Sequence, residues 1–216
     1  VSTGIFESAE AASLSDARSQ RAVESHVRVW TGRVFGLDED RVRVTAQGEP
    51  VVRQYVHHPG AVGIVALRGA PGEEEILLER QYRHPVRAEL WEIPAGLLDV
   101  AGERPEEAAR RELREEADLE AARWDVLVDY FTSPGGSEES IRVFLARDLR
   151  PTASAFPRED EERDMTLVWA DLDEAVSGVL AGRFHNPSAV TGILAAHAAR
   201  ERRWDPLRPL DAPWFR

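Results

Sequence analysis

From His26 the chain reads as strand. "HVRVWTGRVFGL" and "DRVRVTA" alternate apolar residues with arginine or other polar ones, the period of a half-buried sheet. "GLDED" reads as the turn between them, and "PVVRQYVHH" resumes the alternation. The first part is thus expected to be a small antiparallel sheet. "GAVGIVALRG" is a continuous apolar run, the signature of a buried strand. "EEEILLERQYR" is another strand, joined to it through a hairpin at "APGEE". Pro94, Gly96 and Gly102 then punctuate a loop, and Pro105 stands where a first-turn helix proline stands. That helix is expected to run to about Ala117. "WDVLVDYF" and "SIRVFLARDL" are strands flanking the loop "TSPGGSEE"; "RPTASAFPREDEERD" is a second loop, and "MTLVWADL" a further strand. "LDEAVSGVLAG" and "NPSAVTGILAAHAARERR" are helices, the second opened by Asn186 and Pro187.

These elements divide the chain. Residues 1–22 are small, polar and aperiodic, a loose tail. Residues 23–58 form the N-terminal β-domain, and 59–205 the main domain. Residues 206–216, rich in proline and tryptophan, pack as an extended tail. No internal repeat is visible.

Composition narrows the class. At 216 residues and 43% hydrophobic content, the chain has the length and apolar content to bury a core. No apolar run approaches the roughly 18 residues of a membrane span, and the N-terminus lacks the pattern of a secretory signal. The formal net charge of -12 disfavours a nucleic-acid backbone as partner and suits a protein that holds divalent cations. There is no cysteine, which excludes disulfides and thiolate chemistry and fits a cytoplasmic location. There is no lysine either, so all 27 basic residues are arginine. That excludes the phosphate-binding loop that needs one.

One helix carries chemistry. "RRELREEADLE" crowds Glu112, Glu115 and Glu116 into five residues, and like charges at this spacing repel. On a helix Glu115 lies about 60° to one side of Glu112 and Glu116 about 40° to the other, so all three share a face. A glutamate cluster of this kind is commonly a solvated surface. Two features set this one apart: a glycine-bearing loop before the helix, where backbone can approach a ligand, and Arg111 beside the acids, able to hold one in place. Clustered hard oxygen donors suit Mg²⁺, with Mn²⁺ as a substitute, and metal binding would relieve the repulsion.

The segment Gly96 to Leu119 resembles the Nudix box, G-x5-E-x7-R-E-U-x-E-E-x-G-U with U aliphatic. Seven residues lead from Glu103 to Arg111, and Glu112, Leu113, Glu115, Glu116 and Leu119 fall in register. Two positions depart: six residues, not five, separate Gly96 from Glu103, and Asp118 stands where the family has glycine. A loop bulge beside Gly102 can absorb the first. The second needs a left-handed helix end, which costs aspartate more than glycine. "RQYRHPV", "WEIPAG" and "TSPGGSEE" look like the ADP-ribose pyrophosphatase branch.

The resemblance implies an α/β fold, a mixed sheet sandwiched by helices and preceded by the β-domain. It further implies a homodimer that exchanges that β-domain, and metal-dependent hydrolysis of ADP-ribose to AMP and ribose 5-phosphate. It assigns Glu112, Glu116, Glu115 and the carbonyl of Ala95 to metal. Glu139 is the matching loop glutamate, with Glu138 its neighbour and rival. Arg111 and Glu115 complete the catalytic group. Arg53, Arg83 and Glu92, with the loop glycines Gly96 and Gly136, are expected to bind substrate. Glu103 shapes the loop or binds an outer metal. Trp30 and Tyr55 are candidates to stack on adenine or, equally, to pack. His57, His58, His84 and His185 are read as structural. Another nucleoside diphosphate sugar or a dinucleotide remains an alternative substrate, and a non-hydrolytic nucleotide-sugar-binding module is the alternative from another class.

Overall fold

The computed structural model describes residues 14–154, 156, 165–205 and 207–216. The first half of the expected N-terminal tail and most of the expected loop "RPTASAFPREDEERD" lie outside these residues.

The first sheet joins β1 (Ala22–Thr31), β2 (Gly36–Arg43) and β3 (Val51–His57), all antiparallel. The "GLDED" turn is not found. Those residues open β2, and the turn is at 32–35, closed by Gly32 N–H to the Phe35 carbonyl at 2.9 Å. Cross-strand charge explains the difference. Arg28 stands opposite Asp38 and His26 opposite Asp40, and both pairs are ion-paired. Acids that look like turn residues in sequence are thus strand residues facing basic partners. β1 is exposed along its whole length.

The second sheet is mixed and seven-stranded. Its path runs β10 (Thr166–Asp171), β5 (Glu75–Arg83), β4 (Ala61–Arg68), β9 (Ser140–Pro151), β8 (Leu119–Phe131). The pair β4 and β9 is parallel, and β8 begins five residues earlier than its apolar core suggests. β6 (Ala88–Glu92) pairs with β5, and β7 (Ala95–Leu97) pairs with β4. The expected loop therefore contains β7. It was masked in sequence because a three-residue strand has no period to show.

β4 is buried on both faces, as its apolar run requires. Val62, Ile64 and Ala66 face α1 (Pro105–Ala117) and pack with Ala108, Ala109 and Leu113. Val65 and Leu67 face the other way, onto Leu172 and Ala175 of α2 (Leu172–Leu180) and Ala189, Ile193 and Ala196 of α3 (Pro187–Glu201). The result is a helix–sheet–helix sandwich. The C-terminal segment straps across it. Val126 N–H donates to the Arg208 carbonyl at 2.9 Å, and the buried Arg142 donates to the carbonyls of Ala212 and Pro213 at 2.8 and 3.0 Å.

Candidate active site

α1 orients the site because its inward side is fixed. Ala108, Ala109 and Leu113 are fully buried, each apolar side chain stabilising by roughly 1.5–3 kcal/mol when as large as leucine. That packing turns the glutamates toward β7. Pro105 opens the helix, and the Arg104–Glu107 pair caps it through Arg104 N–H at 3.1 Å. At the other end Asp118 adopts φ 54°, the left-handed region, and its N–H closes on Arg114 at 3.0 Å. The glycine missing from this position is compensated locally: the Asp118 carboxylate accepts the Phe156 N–H at 2.7 Å. Gly102, at φ 83°, lies in a turn closed by Glu103 N–H to the Val100 carbonyl at 3.2 Å.

Arg111 is the hub. Its Nε and Nη2 donate to the two oxygens of Glu103 at 2.9 and 3.0 Å, and its Nη1 donates to Glu112 at 2.6 Å and Glu115 at 3.0 Å. These acids hold the guanidinium protonated, and Arg111 in turn holds Glu103 below the ordinary carboxylate range. Burial pushes the Glu112 carboxyl up, against the pull of Arg111. The self-repelling helix face is thus quieted by one cation.

β7 supplies the facing wall. A Cβ on Gly96 would lie 2.0 Å from the Glu112 carboxylate, so any other residue there would displace that side chain. The Ala95 N–H donates to Glu116 at 3.0 Å, fixing a glutamate that is 9% exposed. The structure therefore brings together Ala95, Gly96, Glu103, Arg111, Glu112, Glu115 and Glu116. Among the described residues no three acidic or histidine side chains converge as a metal-binding group. Arg111 donates to both Glu112 and Glu115, so these carboxylates are engaged by a cationic side chain. The donor chemistry, hard carboxylate oxygens beside open backbone, fits a divalent cation once the carboxylates turn from Arg111.

Next to this cluster, Arg83 donates to both oxygens of the buried Glu92, at 2.8 and 2.7 Å. The bond to Glu92, more than the nearby charges of Glu79 and Glu116, keeps the guanidinium charged. Glu79, opposite Glu92 in the β5–β6 register and 2% exposed, was missed in the sequence. A glutamate inside an otherwise apolar strand was the available signal.

A second group lies at the end of β3. A cavity of about 550 Å³ is lined by Arg53, Gln54, Tyr55, Phe131 and the loop from Pro134 to Glu138, including Gly136. Val56 N–H donates to the Gly136 carbonyl at 2.9 Å, and Glu138 N–H to the Val56 carbonyl at 3.1 Å, which tie the loop to the first sheet. Glu139 accepts the Thr132 hydroxyl at 2.7 Å and lies 3.6 Å from His58, while Glu138 pairs with His57. Arg53 donates to the neighbouring Val52 carbonyl at 3.0 Å. Burial, with Asp40 beside it, pushes the Tyr55 hydroxyl up to about 12. Trp30 is apart from this cavity, packed on Phe35 at 5.5 Å. His57 and His58 thus both contact this loop.

Comparison with known proteins agrees with the box geometry. The chain is 47% identical over 185 residues to an ADP-ribose pyrophosphatase of Mycobacterium tuberculosis, covering 86% of each chain. It is 34% identical over 166 residues to a methanol dehydrogenase activator of Bacillus methanolicus, covering 77% of this chain and 86% of that one. A crystal structure of an ADP compounds hydrolase superposes with a TM-score of 0.68 at 21% identity, covering 88% of this chain and 98% of the other, which establishes the shared fold. The NUDIX domain family matches residues 57–190, the region from the end of β3 into α3. The chain belongs to the Nudix family.

Proposed function

We propose that this chain hydrolyses the pyrophosphate bond of ADP-ribose, giving AMP and ribose 5-phosphate. The observation that carries the reading is the box itself. On a helix face closed by Gly96 and Ala95, Arg111 gathers Glu112 and Glu115 with Glu103 of the preceding loop, in a chain nearly half identical to an ADP-ribose pyrophosphatase.

Glu112, Glu116 and Glu115, with the Ala95 carbonyl, would hold Mg²⁺, or Mn²⁺ in its place. When bound, such a cation neutralises diphosphate charge and acidifies water. The remaining work belongs to the chain. Arg83 is held by Glu92 through one edge of its guanidinium and keeps the rest for a phosphate oxygen. Arg53 and Tyr55 line the wall where the nucleoside would lie, beside the backbone of Gly136. Glu139, steadied by Thr132, would take the proton of the attacking water. Glu138 is its neighbour but is engaged by His57.

The working unit is a homodimer in the cytoplasm. β1 leaves Val23, Val27, Val29 and Trp30 each about half exposed, apolar surface that a partner's sheet would cover.

The test is incubation with ADP-ribose and Mg²⁺, with and without EDTA, beside a panel of nucleotide sugars and dinucleotides. AMP and ribose 5-phosphate are expected, only with metal and fastest from ADP-ribose. Faster turnover of another panel member would keep the metal helix and replace the substrate. Binding without turnover would leave a nucleotide-sugar-binding module.

A further inference from the structure

α1 carries a second charged face. Arg110 and Arg114 lie about 160° around the helix from Glu112, one on each side of the opposite line. They are one turn apart, so their guanidinium groups repel. The nearby arginines are neutralised: Arg111 by the box glutamates, Arg147 by Asp125 at 2.7 Å, Arg150 by Glu120 at 2.8 Å. Arg110 and Arg114 have no carboxylate partner among the described residues.

Both line a cavity of about 200 Å³, whose other walls are Glu120, Ala121, Trp124 and Arg150. Trp124 is 8% exposed, and its indole N–H is spent on the Ala121 carbonyl at 3.0 Å. Its ring carries the Arg110 guanidinium, 4.9 Å from the centroid. Stacking occupies the face of a guanidinium and leaves its in-plane N–H groups free to donate. Arg150 is fixed through Nε and Nη2 to one oxygen of Glu120, which leaves its Nη1. Three arginines thus face one glutamate, a surplus of two positive charges in a chain of net charge -12.

We infer that this cavity is an anion site for a phosphoryl group, carried by a phosphate monoester or by free phosphate. In-plane N–H donors from separate arginines match the several oxygens of a phosphoryl group, and a bound dianion removes the repulsion between Arg110 and Arg114. The site uses none of the residues assigned to metal or substrate, so it stands whatever the substrate of the opposite face. Its helix is shared with that face, which places bound phosphate one helix diameter from the box.

The experiment is NMR of the arginine Nε–H groups in the metal-free protein, titrated with sodium phosphate, AMP and ribose 5-phosphate at ionic strength held by sodium chloride. Arg110→Gln and Arg114→Gln assign the signals. Arg110 and Arg114 are expected to shift saturably with at least one of the three. In Arg114→Gln the Arg110 response should weaken about tenfold, the loss of one charge-assisted contact. Response to all three places recognition in the phosphoryl group alone; response only to the monoesters adds the organic part. Shifts no larger than sodium chloride produces, or an Arg110 response unchanged in Arg114→Gln, would overturn the site. Should Arg114→Gln lower the melting temperature, Arg114→Lys carries the same comparison, since it keeps the charge and loses the fork.

Discussion

Single atoms decide the site. The Glu112 carboxylate occupies the place a Cβ on residue 96 would take. Gly96→Ala should push Glu112 aside and lower kcat about a hundredfold, as ångström-scale misplacement of a reacting group does; steady-state assays in saturating Mg²⁺ check it. Asp118 shows the reverse, a residue other than the family's glycine made tolerable. Its left-handed φ costs about 1–2 kcal/mol, and its bond to the Phe156 N–H offsets part of that. Asp118→Ala keeps the strain and loses the bond, so urea unfolding should show it destabilised by about 1 kcal/mol. Asp118→Gly loses both and should stay close to the parent. The box acids were legible in sequence because their spacing is the helix period. The Gly96–Glu112 contact and the Arg83–Glu92 pair were not, since β7 is too short to show a period and the β5–β6 register is not written in either strand alone.

Elements carry these residues into place, and pattern reveals them unequally. α1, β4 and α3 were legible from proline, apolar runs and the Asn186 cap, which accepts the Ala189 N–H at 3.0 Å. β2 hid behind its own acids, which read as a turn until their basic partners on β1 are known. The loop holding Glu139 is tied at both ends, to β3 by main-chain bonds and to Thr132 by its side chain. Glu139→Gln should lower kcat by about 10²–10⁴ with KM little changed; an unchanged rate would pass the role to Glu138. The C-terminal strap hangs on Asp129, which accepts from Arg142 at 2.8 and 2.9 Å and from Arg208 at 2.8 Å. Burial opposes ionisation of Asp129, yet the two arginines outweigh it and hold the carboxyl below its ordinary range. Its contribution is therefore complete above the unfolded aspartate value of about 3.9 and fades as pH falls through the lower folded value. Asp129→Asn, which leaves Arg142 buried without its acid, should cost about 3–5 kcal/mol in chemical denaturation at neutral pH.

At the scale of the molecule, the two sheets are unequal. The second is sealed by helices on both faces; the first leaves β1 bare. Exposed apolar surface of this kind marks a contact face, and the proposed homodimer would cover it with a second copy. Light scattering after size exclusion should give twice the chain mass of 24.1 kDa. Val27→Asp together with Trp30→Glu should shift the species toward monomer. A stable monomer of the unaltered chain would contradict the exchanged β-domain.

Glu116→Gln is the sharpest probe of whether the glutamate face of α1 holds a divalent cation for pyrophosphate hydrolysis. The substitution is nearly isosteric and keeps an oxygen for the Ala95 N–H. Measured with ADP-ribose in saturating Mg²⁺, kcat should fall at least about a hundredfold while the melting temperature holds. Turnover near that of the parent would contradict the claim and return the acidic face to ordinary surface.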